Sequence, residues 1–92
     1  MSDSAFRDNR ARQRFELAVD GALAFADYRR QDGRLYIDHV ETPPALRGGG
    51  VAARVMQGIA EAARREGEKV VPICSYAVAW FQRHADQRDL LA

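Results

Sequence analysis

The chain has 92 residues, with 14 Lys and Arg against 13 Asp and Glu, a net charge of +1, and an apolar fraction of 47%. That is the size of one domain and an ordinary globular composition, without the basic excess that marks a nucleic-acid binder. No apolar run approaches the roughly 20 residues of a membrane span, and the first residues hold no apolar signal core. The one cysteine excludes an internal disulfide framework and points to a reducing compartment, the cytoplasm. One Cys and two His at distant positions make no zinc site, so no metal is expected.

Residues 1–13 are polar, with Arg7, Arg10 and Arg12 interleaved with Asp3, Asp8 and Asn9. They read as a solvated arm or a short frayed helix, the alternative being a docking arm for an acidic partner. From Arg14 the pattern takes period two. Phe15, Leu17 and Val19 alternate with Glu16, Ala18 and Asp20, which predicts a half-buried strand. Asp20-Gly21 is a two-residue hairpin signal. A second strand returns over Ala22 to Arg29, and Gln31-Asp32-Gly33 makes the next turn. A third strand over Arg34 to Glu41 puts Leu35, Ile37 and His39 on one face and Tyr36, Asp38 and Val40 on the other.

Thr42-Pro43-Pro44-Ala45-Leu46 cannot continue that strand, because proline removes ladder donors. Arg47-Gly48-Gly49-Gly50 then opens a helix, with Val51, Val55, Ile59 and Ala63 at helical spacing and Gly67 as its C-terminal stop. Lys69 to Ile73 is a short β-branched run, expected as a buried strand. Ser75 is expected to cap a last helix carrying Ala77, Val78, Trp80 and Phe81. The tail is polar until Leu90-Leu91, which can dock on the core.

The fold class expected is therefore α/β: a three-strand antiparallel meander, then a β-α-β unit and a C-terminal helix. Parallel strands joined by a crossover helix place their C-terminal ends, and the N-terminus of that helix, at one edge of the sheet. That edge collects His39-Val40-Glu41, Arg47 to Ala52 and Cys74-Ser75. A glycine run offers unhindered backbone N–H groups, and the helix behind it presents its positive end, which together make an anion site, most often for phosphate. The P-loop requires Lys-Ser/Thr after its last glycine, where Val51-Ala52 stand. The dinucleotide fingerprint requires an acidic residue ending the next strand, and Val70-Val71-Pro72-Ile73-Cys74 has none.

Arg47-x-x-Gly50-x-Ala52 resembles the acetyl-CoA pyrophosphate motif of the GNAT superfamily of acyltransferases, Gln/Arg-x-x-Gly-x-Gly/Ala. The resemblance covers about residues 14–84. His39 before Glu41-Thr42-Pro43-Pro44, and Pro72-Ile73-Cys74-Ser75-Tyr76, resemble its very small branch lacking the usual N-terminal helices. It implies a mixed, splayed sheet, a minimal domain over residues 14–92, and acetyl-CoA or coenzyme A as co-substrate. Backbone N–H groups of Gly48, Gly49, Gly50, Val51 and Ala52 would hold the pyrophosphate, with Arg47 beginning the loop and Ser75 at the next helix end. The strand at Val40 and Glu41 would pair with the pantetheine amides. Larger members carry Asn-x-x-Ala-x-x-x-Tyr on the last helix, the Tyr protonating the leaving thiolate. Here the spacing reads Cys74-x-x-Ala77-x-x-x-Phe81, and Phe81 has no proton to give.

Cys74 precedes a helix N-terminus, a setting that favours a thiolate. Two routes follow: Cys74 takes the acetyl group with His39 as its base, or His39 alone deprotonates an incoming amine while Cys74 lines the pocket. The reading is an acetyl-CoA-dependent N-acetyltransferase acting on an amine, of a small molecule or of a protein or peptide end, as monomer or homodimer. A non-catalytic acyl-CoA-binding module is the alternative, and an interaction domain with the glycine run as a mere turn is the third.

Overall fold

The structure is a computed structural model and describes residues 4–92. Two tight turns set the meander. Asp20-Gly21 and Asp32-Gly33 each hold two successive residues at positive φ, the conformation whose twist matches a two-residue hairpin. They join β2 (Arg14–Val19) to β3 (Ala22–Gln31) and β3 to β4 (Arg34–Glu41). After a 3-10 turn over Pro44–Leu46 come helix α1 (Val51–Glu66), strand β5 (Lys69–Pro72) and helix α2 (Ser75–Arg83). Strand β5 lies parallel to β4, as a β-α-β unit requires.

The expectation of an arm over residues 1–13 is corrected. Ser4–Asn9 is a strand, β1, antiparallel to β2 and first in a five-strand sheet ordered β1-β2-β3-β4-β5; Met1 to Asp3 lie outside the described residues. What orders β1 is remote in sequence. Phe6 stacks on Phe15 with ring centroids 5.6 Å apart. The Tyr28 hydroxyl donates to Asp8, and Arg7 and Asn9 donate to the Glu16 carboxylate at 2.8 and 3.1 Å. Glu16 faces away from the helices yet is only 3% exposed, because these side chains close over it. Burial pushes its carboxyl up, but the bonds from Arg7 and Asn9 and the Arg7 and Arg14 charges hold it below the usual range.

One face of the sheet is covered. Phe15, Leu17, Ala24, Ala26, Tyr28, Leu35, Ile37 and Val70 are buried on it, against Val55, Met56, Ile59 and Ala63 of α1 and Ala77, Trp80 and Phe81 of α2. Burying each of the large side chains is worth about 1.5–3 kcal/mol. The tail, read as polar with a docking end, forms a 3-10 helix over Ala85–Leu90 that buries Leu90, and Leu91 bridges to Val70. The opposite face carries Arg14 over the Phe25 ring, Arg29 over Tyr36, and the Arg29–Asp38 pair.

A glycine in the middle of α1 marks where β1 presses on the helix. A Cβ at Gly58 would stand 2.5 Å from Cε1 of Phe6. Alanine is worth about 1 kcal/mol over glycine in a free helix, yet Gly58→Ala is expected to cost about 1–2 kcal/mol here, because the Phe6 ring must leave its place on Phe15. In a Phe6→Ala background the same change is expected to stabilise. Urea unfolding of the four proteins checks this; an equal loss in both backgrounds would remove the contact as the cause.

Candidate active site at the splayed sheet edge

The edge where β4 and β5 part is made by the backbone. Their pairing ends at Ile37 opposite Pro72. The N–H groups of Ile73 and Cys74 then both turn to the Ile37 carbonyl, at 3.0 and 3.2 Å, and the chain leaves the sheet for α2. Strand β4 runs on to Glu41 against β3 alone. An overhanging strand of this kind offers free amides to an extended partner, such as the amide-bearing arm of a ligand.

Within the overhang the register slips. Tyr28 pairs with Ile37 and Asp27 with His39, so Asp38 is an extra residue on β4, a bulge. This corrects the expected face pattern. His39 does not follow Leu35 and Ile37 into the covered face; it stands with Asp27 on the open one, 55% exposed, and its Nε2 lies 2.8 Å from Oε1 of Glu41. Val40 takes the covered face instead, opposite Ala26 and packed against the core.

The glycine run lies at the same edge. Arg47 closes the loop, its Nε donating to the Thr42 carbonyl at 3.1 Å and its guanidinium 3.7 Å from the Glu41 carboxylate. Gly48 and Gly50 hold φ of 85° and 75°, and a Cβ at either would meet nothing within 4 Å. Gly50 is the N-cap of α1 without a side chain to cap it, and its carbonyl takes the first helical bond, from Arg54. The first N–H groups of α1 therefore open outward with the positive helix end behind them. They border a cavity of about 170 Å³ walled by Thr42, Leu46, Arg47, Gly48, Gly50, Val51, Ala52, Ala53 and Tyr76. A phosphate fits this donor set: unhindered backbone N–H groups, a helix end and a guanidinium. A larger hollow of about 330 Å³ lies between Phe6, Leu17 and the outer flank of α1 at Gln57 and Glu61. It lacks a helix end, and its size alone gives it no chemistry.

The third group is the start of α2. Cys74, not Ser75, is the N-cap: Sγ accepts from the Ala77 N–H at 3.4 Å, while Ser75 is the exposed first helical residue. Cys74 is half-buried and packed against the core, so its thiol sits on the covered side of the sheet edge and the His39 ring on the open side. The cavity wall joins Arg47, Gly48, Gly50, Val51 and Ala52, and does not include His39, Val40, Glu41, Gly49, Cys74 or Ser75.

Sequence reasoning missed Tyr76. It lines the same cavity as the glycine loop, half-buried. Burial pushes its phenol up, offset only in part by the Arg83 charge, so the hydroxyl keeps its proton. The signal was present in the sequence: an aromatic in the first turn of a helix whose N-terminus was already assigned to the site. Phe81, in the slot expected for a proton donor, is 2% exposed and packs edge-on against Trp80. Among the described residues no group of three or more His, Cys, Asp or Glu is placed to hold a metal ion, and no helix is long and apolar enough to cross a membrane.

Comparison with known proteins meets this geometry from the other side. The solution structure of a "GCN5-like putative N-acetyltransferase" from Staphylococcus aureus superposes with a TM-score of 0.76 at 26% identity, over 100% of this chain and 91% of that one. No curated protein matches the chain. The model of the GCN5-related N-acetyltransferase family matches residues 14–90, which carry β2 through the C-terminal 3-10 helix. The chain belongs to the GCN5-related N-acetyltransferase family.

Proposed function

We propose that the protein transfers an acetyl group from acetyl-CoA to an amine, with the pyrophosphate held by the loop from Arg47 to Ala52. The observation that carries this is the meeting of two features at one sheet edge. The N–H groups opening α1 face a cavity, and β4 overhangs β5 beside it. The first suits a pyrophosphate and the second an amide-bearing chain, and coenzyme A joins the two chemistries in one molecule.

Acetyl-CoA supplies an acyl group already activated as a thioester. Cys74 is the nucleophile on the proposed covalent route. Its thiolate bonds to the acyl carbon, the CoA sulfur departs and takes a proton, and an amine then displaces the cysteine sulfur and regenerates the thiol. The N–H of Ala77 directed at Sγ at 3.4 Å supports negative charge on sulfur. On the direct route, the amine reaches the acyl carbon from the open face. His39 accepts the amine proton at Nδ1 while Nε2–H donates to Glu41. Tyr76, kept protonated by burial, lines the cavity and offers a hydroxyl in place of the absent one at Phe81. The open face leaves room for a small amine or for a protein or peptide end.

The second reading, a binding module without turnover, is favoured by one observation: Phe81 is buried and has no ionisable group. Incubation with acetyl-CoA followed by intact-mass measurement separates the routes. The covalent route predicts an added acetyl group on Cys74, removable by hydroxylamine and absent in Cys74→Ala, with CoA binding retained in that variant. Acetylation of an amine by Cys74→Ala at the parental rate would assign the transfer to the direct route. No acetylation of the protein or of any amine in a panel would favour the binding module.

A further inference from the structure

The two halves of the site are joined by one carboxylate. Glu41 reaches His39 with Oε1, 2.8 Å from Nε2, and Arg47 with Oε2, 3.7 Å from the guanidinium. Its exposure is 39%, against 55% for His39 and 64% for Arg47, so all three are reachable by a ligand. His39 is on the open face at the overhang, and Arg47 is in the wall of the phosphate cavity. We propose that Glu41 is a positioning residue shared between them. In the free protein it divides its charge between the imidazole and the guanidinium; when a phosphate engages Arg47, the carboxylate is released to His39. Occupation of the cavity would thereby prime the base. This rests on the reading of the glycine loop as a pyrophosphate site.

The chemistry favours the exchange. The pyrophosphate as a whole carries two negative charges against one on a carboxylate, and its oxygens accept paired bonds from a guanidinium, so it outcompetes a contact as long as 3.7 Å. A carboxylate bonded to Nε2–H fixes the tautomer that leaves Nδ1 to accept a proton, and it stabilises the imidazolium that results. Two other carboxylates stand on the strands around His39, each beside an arginine outside the phosphate site. Asp27, across on β3, has Arg14 at 3.8 Å. Asp38, next in the chain, holds a two-pronged bond from Arg29 at 2.8 and 2.9 Å. Where β5 leaves the sheet, the chain brings apolar Ile73 and then Cys74, whose sulfur takes the Ala77 N–H. Glu41 is the carboxylate here whose partner, Arg47, is itself part of the phosphate site.

The test follows the His39 ring by NMR through a pH titration, first without ligand. Arg47→Gln is expected to raise the titration midpoint above that of the parent, because Glu41 then serves His39 alone. Glu41→Gln is expected to lower it, and the double variant to match Glu41→Gln. A direct effect of the lost Arg47 charge would persist in the double variant; an equal rise with and without Glu41 overturns the proposal. Dephospho-CoA, which keeps the pyrophosphate and lacks the phosphate monoester that titrates near pH 6, is then added. It should raise the midpoint in the parent as Arg47→Gln does, and leave Glu41→Gln unmoved. Dephospho-CoA that binds the parent without moving the midpoint overturns the shared carboxylate and leaves the pyrophosphate reading standing. Dephospho-CoA that binds neither protein overturns that reading, and the priming with it.

Discussion

Gly50→Asp is expected to weaken coenzyme A binding by about 100-fold or more while leaving the fold intact. The two halves of that statement rest on separate observations. A Cβ at Gly50 meets nothing within 4 Å, so the side chain has room. The φ of 75° is strained for most L-residues, at a cost of about 1–2 kcal/mol, but Asp and Asn enter this region more readily than others. The carboxylate would then stand at the mouth of the α1 N-terminus, where the pyrophosphate is proposed to lie. Like charges brought together in a binding site cost several kcal/mol, and each 1.4 kcal/mol is tenfold in affinity. Gly50→Asn is the control of equal shape and no charge, expected to lose less than about tenfold. Calorimetric titration gives the affinities, and circular dichroism gives the fold. Equal affinity in the Asp, Asn and parent proteins would move the phosphates elsewhere.

How much of this was legible in the sequence depends on whether the deciding contacts are local. The period-two runs at Phe15-Leu17 and Leu35-Ile37, the two Asp-Gly turns and the apolar stripe of α1 are local signals, and each element stands where it was expected. Strand β1 was illegible because Phe6 is one aromatic in an Arg-rich stretch. Its order comes from Phe15, Glu16 and Tyr28, residues 7 to 20 positions on. The helix start at the glycine run was read from local order, three glycines followed by an apolar stripe at helical spacing. The face taken by His39 was not. It turns on the bulge at Asp38, a property of pairing with β3 that alternation within β4 cannot reveal. Cys74 and Ser75 are adjacent polar residues at a helix start, and only the Sγ contact with the Ala77 N–H decides between them.

The second large effect concerns the cofactor itself. A ligand that binds only the folded state stabilises it by about 2.7 kcal/mol at 100 times its Kd. For a domain of 92 residues, 1 kcal/mol moves the melting temperature by roughly 4–8 °C. Acetyl-CoA at that concentration should therefore raise Tm by about 10–20 °C. The shift should be largely lost in Gly50→Asp and retained in Cys74→Ala, because the proposed cradle uses backbone donors and leaves the thiol to the chemistry. Thermal unfolding of the parent and these two variants, with and without acetyl-CoA, is the measurement that tests the account most directly. The account predicts a large shift in the parent and Cys74→Ala and little in Gly50→Asp. No shift in the parent at millimolar acetyl-CoA, or an undiminished shift in Gly50→Asp, would contradict it.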